Sequence, residues 1–127
     1  MITLKTTYLR FVFGTNRGAP REQLGIIASL AYLKDADQLS EGDRARAEEL
    51  LLWFESQLPC PPFSGRKYPQ EAVSWFKASA VTMIAKAREV AVLLEEYDHP
   101  VRMLRTQQPG MILYEDDFQV IAKSRHF

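Results

Sequence analysis

Apolar and polar residues alternate near the start of the chain, in ITLKTTYLRFVF (residues 2–13). From Thr7 onward the segment divides into two alternating sets, Leu9, Phe11 and Phe13 against Tyr8, Arg10 and Val12. Alternation with period two, in a segment rich in aromatic and β-branched residues, predicts a long first strand. The glycines and asparagine of residues 14–18 then predict a loop.

Two helical patterns follow. The first is REQLGIIASLAYLKD (21–35), and Pro20, just before it, suits a first helical turn. One apolar stripe recurs at helical spacing: Leu24, Ile27, Ala28 and Ala31. We expect this stripe to be the packing face. The rest of the circumference is also apolar, at Ile26, Leu30 and Leu33, which predicts that a second helix or a partner covers it.

The second helix is predicted to start near Ser40, which is followed three residues later by Asp43. Its apolar stripe is Ala47, Leu50, Leu51, Phe54 and Leu58. The segment PCPPFSGRKYP (59–69) contains four prolines, which donate no backbone hydrogen bond, and it predicts an irregular connection.

The second half of the chain predicts strands around a third helix. AVSWF (72–76) and VRMLR (101–105) are expected strands, and Ser79 is expected to cap a helix that ends near Tyr97. TQQPG (106–110) predicts a turn, with strands in MILY and FQVIA forming antiparallel hairpins. The two strands flanking the third helix are predicted to lie parallel.

The predicted fold class is therefore α+β, in the order βααβαβββ. We expect one domain spanning 1–127, with a mixed, mostly antiparallel sheet of about five strands and three helices mainly on one face.

Composition and charge exclude several functional classes. Hydrophobic residues make up 46% of the 127 residues, as in ordinary globular proteins, and sixteen basic residues balance sixteen acidic ones. No global charge favours nucleic acid or an anionic membrane, while near-zero net charge favours self-association into a homo-oligomer. One cysteine, Cys60, excludes an internal disulfide, and neither a membrane-spanning run nor a signal-peptide pattern occurs, so a cytoplasmic location is expected.

The pieces VSWFK, VRMLRT and PGMILYEDDFQVIA resemble a widespread family of small uncharacterised bacterial proteins, over roughly the second half of the chain. The resemblance implies that one recurring pattern includes Trp75, Phe76, Lys77, Arg105, Pro109, Gly110, Tyr114, Glu115, Asp116 and Gln119. It implies no catalytic mechanism.

Three consecutive acids, Glu115, Asp116 and Asp117, invite comparison with a metal site. Neighbouring strand residues point to opposite faces, so the three converge only if the backbone turns there. An exposed hairpin tip is the plainer interpretation and is favoured, because no second group of ligands accompanies the acids. No metal site and no cofactor are predicted.

Lys77 and Ser79, where a strand leads into a helix, form a candidate anion pocket. Parallel strands would bring Arg105 to the same edge of the sheet, and Trp75 can stack on a planar group. Alternatively, Ser79 is an ordinary cap and Arg105 pairs with Glu115 or Asp116.

We therefore expect a small non-enzymatic binding or regulatory protein that recognises an anionic or nucleotide-like ligand. The candidate ligand-binding residues are Trp75, Lys77, Ser79, Arg105, Tyr114 and Glu115. Two alternatives stay open: an enzyme acting on a phosphate-containing substrate with Glu115 or Asp116 as base or metal ligand, and a protein-interaction module. No catalytic residue is identified.

Overall fold

The computed structural model describes residues 6–13, 24–62 and 72–123. Its strands are β1 (Tyr8–Phe13), β2 (Leu24–Gly25), β3 (Ala72–Lys77), β4 (Val101–Thr106), β5 (Met111–Glu115) and β6 (Gln119–Lys123). Its helices are α1 (Ile26–Asp35), α2 (Glu41–Gln57) and α3 (Val81–Glu96). The predicted α+β class, with three helices, is confirmed.

Every strand pairing among the described residues is antiparallel, and the main sheet order is β4-β1-β3-β6-β5. One edge of β1 pairs with β4 along its whole length, from Tyr8 opposite Thr106 to Phe13 opposite Val101. The other edge pairs with β3 through Tyr8 and Leu9, and then with the short β2 through Val12 and Phe13. β1 therefore changes partner halfway along this edge.

Two expected pairings differ from the structure. β3 and β4 do run parallel, but they are not neighbours, because β1 lies between them and is antiparallel to both. The hairpin expected between β4 and β5 is wrong, because these strands lie at opposite ends of the main strand order. The hairpin of β5 and β6 is confirmed, with a register shift between Ile112 and Tyr114.

The short connection from β4 to β5 requires the sheet to curl. Thr106 is level with Lys77, whereas Met111 is level with Ala72, at the other end of β3. In a flat sheet, four strand spacings and five residues of rise would separate Thr106 from Met111 by about 25 Å. The chain between them reaches at most about 18 Å. The two outer strands must therefore approach each other at one corner.

The helices pack on one face of the sheet around a core that includes Leu9 and Phe11 of β1. On α1 the expected packing stripe is wrong. Its buried residues are Ile26, Ser29, Leu30 and Leu33, whereas Ile27 and Ala31 are half-buried and Ala28 is exposed. The reason is that α1 turns its other apolar stripe toward α2 and α3. The stripe predicted on α2 is confirmed by buried Ala47, Leu50 and Phe54. α3 buries Val90 and Leu94 against the same core.

The two predicted helix caps have different outcomes. Ser40 is the N-cap of α2, and its hydroxyl accepts a hydrogen bond from the Asp43 amide at 3.3 Å. Ser79 is not a cap, because the N-cap position of α3 is occupied by Ala80, which offers no side-chain acceptor. The start of the predicted first strand (2–5), the loop with Pro20 and residues 63–69 of the proline-rich connection lie outside the described residues.

Candidate ligand site at a gap in the sheet

Side chains alternate between the two faces of the sheet, and residues directly opposite each other in a pair share a face. The helix face carries Leu9 and Phe11 of β1. We call the other face the second face. Its described residues on β1, β3 and β4 are Tyr8, Arg10, Val12, Val73, Trp75, Lys77, Arg102, Leu104 and Thr106, with Val120, Ala122, Ile112 and Glu115 on β6 and β5.

The middle of the second face is buried although the helices pack on the other side. Val12, Val120 and Ala122 have no exposed surface at all. Trp75 and Arg102 are half-buried, and Ile112 and Glu115 on β5 are exposed. The second face is therefore interior at its middle and open to solvent at β5.

Lys77 and Arg105 do not share a pocket. Lys77 lies opposite Tyr8, whereas Arg105 lies opposite Leu9, so the two side chains leave opposite faces of the sheet. Arg105 is exposed beside a shallow depression formed with Thr7, Thr106, Gln107 and Gln108. The expectation failed because parallel direction alone does not decide which face a side chain takes.

Lys77 instead pairs with Glu115, with 2.6 Å between Nζ and Oε2. The hydrogen bond that Lys77 donates to Glu115 raises the pKa of Lys77 and outweighs the opposing effect of burial. The Lys77 side chain is 19% exposed and that of Glu115 is 50% exposed, so the pair closes one end of the second face at its border with solvent. Both groups are counter-ions to each other.

Asp116 organises the turn between β5 and β6. One carboxylate oxygen accepts from the amides of Phe118 at 2.8 Å and Gln119 at 3.0 Å. The other accepts from the Tyr114 hydroxyl at 2.8 Å and the Gln119 side-chain amide at 3.1 Å. Burial opposes the charged form, but these hydrogen bonds outweigh it and lower the pKa of Asp116. The same hydrogen bond to Asp116 is the main cause that raises the pKa of Tyr114.

The acidic segment is a hairpin tip, as favoured. Asp116 has both oxygens occupied and Glu115 is paired. In the parts of the chain that the structure describes, no group of three or more His, Cys, Asp or Glu side chains is arranged to hold a metal ion.

Ser79 lies at a second cavity, of 360 Å³, beside the start of α3. Trp53, Asp117 and Phe118 also line it. An acid near a helix N-terminus satisfies the positive end of the helix dipole and repels a further anion. The start of α3 is therefore a poor match for the anion pocket expected around Ser79.

The change of partner along β1 leaves a gap in the sheet at Arg10 and Phe11. Arg10 Nη1 donates to the Ser74 carbonyl of β3 across this gap, at 2.9 Å. The guanidinium also lies near Gly25 of β2, since a Cβ added to Gly25 would be 3.9 Å from it, at ordinary van der Waals distance. Arg10 thus spans the gap from β1 to β3 and is already engaged by partners.

A cavity of 440 Å³ opens at this gap, between α1 and β3. Its walls are mostly apolar, and they include Phe11, Ile27, Ala31, Leu58 and Phe76. Arg10, Ser74, Trp75 and Gln119 supply its polar groups. An apolar cavity with a few polar groups is the usual form of a small-molecule site.

Trp75 and Arg102 carry buried donors without acceptors. The indole Nε1 of Trp75, and Nε and Nη2 of Arg102, are the buried side-chain nitrogen and oxygen atoms that find no partner among the described residues. All three atoms are donors, and both residues belong to the second face. A buried donor without an acceptor costs about 1–3 kcal/mol, and more when it is charged.

The middle of the second face is positively charged. Its described strand residues include three cations, Arg10, Lys77 and Arg102, and a single acid, Glu115, which pairs with Lys77. Trp75 and Arg102 lie on either side of β1, with backbones about 12 Å apart. Both long side chains can therefore reach a group placed over β1.

Sequence reasoning identified Trp75 but missed Arg10 and Arg102 as site residues. The signal was present: each arginine interrupts an alternating strand pattern on the side that carries Val12 or Leu104. A cation among apolar positions of one strand face indicates a buried charge that needs an acceptor.

The chain matches no known family model, and no curated protein or solved structure matches it. No helix in the described segments has the length and apolar character needed to cross a membrane.

Proposed function

We propose that this protein binds a small anionic ligand on the second face of the sheet, beside Trp75 and Arg102. The observation that carries the proposal is the set of buried donors without acceptors on Trp75 and Arg102. A ligand that supplies acceptors relieves the cost of burying these donors, and a negative charge is favoured by the excess of cations there.

The role is binding rather than catalysis. The acids expected to act as base or metal ligand in the enzyme alternative are engaged: Glu115 with Lys77, and Asp116 within its own turn. Of the originally expected ligand-binding residues, the proposal keeps Trp75. It assigns the contact with the anion to Arg102 in place of Lys77 and Arg105.

A thermal-shift comparison of organic anions with neutral amides of the same shape tests the proposal. Anions should raise the melting temperature at constant ionic strength, and the matched amides should not. Arg102→Met should abolish the response. Arg105→Met is the matched control, because Arg105 is on the same strand but on the opposite face, and it should respond like the wild type. Equal responses of Arg102→Met and the wild type would contradict the proposal.

A further inference from the structure

We infer that β5 is a docking edge at which two copies of this chain pair, strand against strand, about a twofold axis. This pairing is independent of the anion binding proposed above, because it uses the outer edge of the sheet and not the middle of its second face.

β5 is an edge strand with unpaired backbone groups. Among the described residues β5 pairs only with β6, so alternate backbone N–H and C=O groups of Met111–Glu115 point away from the sheet. Such a row of donors and acceptors fits an extended chain that continues the hydrogen-bond ladder. The partner that this edge accommodates is therefore a β-strand.

The side chains of β5 are apolar and exposed. Three consecutive residues, Met111, Ile112 and Leu113, are 46%, 42% and 36% exposed. Because neighbouring strand residues point to opposite faces, this stretch offers apolar surface on both sides of the sheet. A run of three exposed apolar residues on an edge strand favours association unless a partner covers it.

The edge formed by β4 differs from the edge formed by β5. β4 carries two arginines, Arg102 and Arg105, and charged side chains on an edge strand oppose pairing with another chain. β5 has no basic residue, and its one acid, Glu115, is the last residue of the strand. The charges of β4 therefore disfavour pairing, whereas the apolar stretch of β5 permits it.

A second copy fits this edge because the strand is self-complementary. In an antiparallel pair centred on Ile112, the two Ile112 side chains face each other and Met111 of each copy faces Leu113 of the other, so the central contacts are apolar. The two Glu115 residues then lie about six residues apart along the pair, or about 20 Å, beyond the range of strong repulsion. The zero net charge of the chain does not oppose association either.

The pair is expected to be closed and short. A twofold pairing uses the same edge of both copies, so association ends at a dimer. The register shift between Ile112 and Tyr114 twists β5 and confines regular pairing to the first half of the strand. Stable interfaces bury about 800 Å² on each partner, and so short a ladder buries less, so the dimer should form only at high protein concentration.

Analytical ultracentrifugation of the full chain, from about 5 µM to about 1 mM, tests this pairing. The wild type should change from monomer to dimer over this range and go no further. Ile112→Lys places two like charges opposite each other and should weaken dimerisation by at least about tenfold. Val92→Lys is the matched control, because Val92 is 53% exposed on α3 and not on the sheet, and this variant should dimerise like the wild type.

An exchange of charge locates the twofold axis. An equal mixture of Ile112→Lys and Ile112→Glu should dimerise at least about tenfold more tightly than either variant alone, because opposite charges then face each other. Hydrogen exchange of the wild type needs no substitution. The outward-pointing amides of β5 should exchange more slowly at the highest protein concentration than at the lowest, and the amides of β4 should not change.

Three results would overturn the pairing of β5. A monomer at every concentration would exclude a second copy as the partner. Equal dimerisation of Ile112→Lys and the wild type would place the interface elsewhere. Slower exchange of the β4 amides, without any change at β5, would assign the interface to the opposite edge.

Discussion

Two clusters of polar residues lie close together on this sheet and have opposite character. In the acidic hairpin, the Asp116 carboxylate accepts four hydrogen bonds and Glu115 has its own cation. On the second face, Trp75 and Arg102 keep buried donors for which the described residues provide no acceptor. The acidic cluster, which is conspicuous in the sequence, has its hydrogen-bond partners, whereas the donors of the less conspicuous second cluster lack them.

This difference separates a structural role from a binding role. A carboxylate at a tight turn that already accepts four hydrogen bonds stabilises the fold and has no lone pair left for a ligand. Unpartnered buried donors lower the stability of the ligand-free protein. A protein retains such donors where a ligand or partner supplies the missing acceptors. Substitutions in the two clusters should therefore change the stability of the ligand-free protein with opposite sign.

The largest expected effect is a loss of stability in Asp116→Ala. This change removes the carboxylate that accepts from the amides of Phe118 and Gln119 and from the Tyr114 hydroxyl, and the free energy of unfolding should fall by about 3 kcal/mol. Chemical denaturation measures it. Asp117→Ala, one residue on and exposed, is the matched control and should change stability by less than about 0.5 kcal/mol. Equal effects at both positions would contradict a structural role specific to Asp116.

The next effect has the opposite sign. Arg102→Met replaces a buried guanidinium by an apolar chain of similar length, so the free energy of unfolding of the ligand-free protein should rise by about 1–2 kcal/mol. Denaturant unfolding in buffer without organic anions measures this rise. Arg105→Met, on the exposed side of the same strand, should lie within about 0.5 kcal/mol of the wild type. Destabilisation by Arg102→Met would mean that Arg102 has a structural partner.

A smaller effect on stability is expected at low pH. Because the folded pKa of Asp116 is lower than its unfolded value, this carboxylate contributes stability above pH 4 or so, and the contribution is lost as the pH falls through the folded pKa. Urea unfolding of the wild type and of Asp116→Asn should therefore differ most near neutral pH, and the difference should shrink below about pH 4. A difference that stays constant down to pH 2 would show that Asp116 acts through its shape alone.

The smallest effect concerns Lys77 and Glu115. The Glu115 side chain is half exposed, so a double-mutant cycle with Lys77→Met and Glu115→Gln should give a coupling of only about 0.5–1 kcal/mol. Raised salt should reduce it. Neither substitution should weaken the response to an organic anion by more than about twofold. Loss of that response in Lys77→Met would show that Lys77 takes part in ligand binding.

The sequence predicted the elements better than the way they are joined. Periodicity identified α2, α3 and the β5–β6 hairpin, because local spacing determines which side chains share a stripe. It failed for the neighbours of β4, since the insertion of β1 between β3 and β4 is a long-range pairing that no local pattern records. The site was missed for the same reason. Arg10 and Arg102 are 92 residues apart in sequence, and only the pairing of β1 with β4 places them on one face.

The most direct test of the ligand site is the NMR signal of the Trp75 indole N–H. The chain has two tryptophans, so Trp75→Phe and Trp53→Phe assign the two indole signals. On addition of an organic anion that raises the melting temperature, the Trp75 signal should move downfield as its N–H gains an acceptor, while that of Trp53, on α2, should stay in place. A Trp75 signal that does not move at a saturating concentration of that anion, or one that moves no more than that of Trp53, would contradict the account.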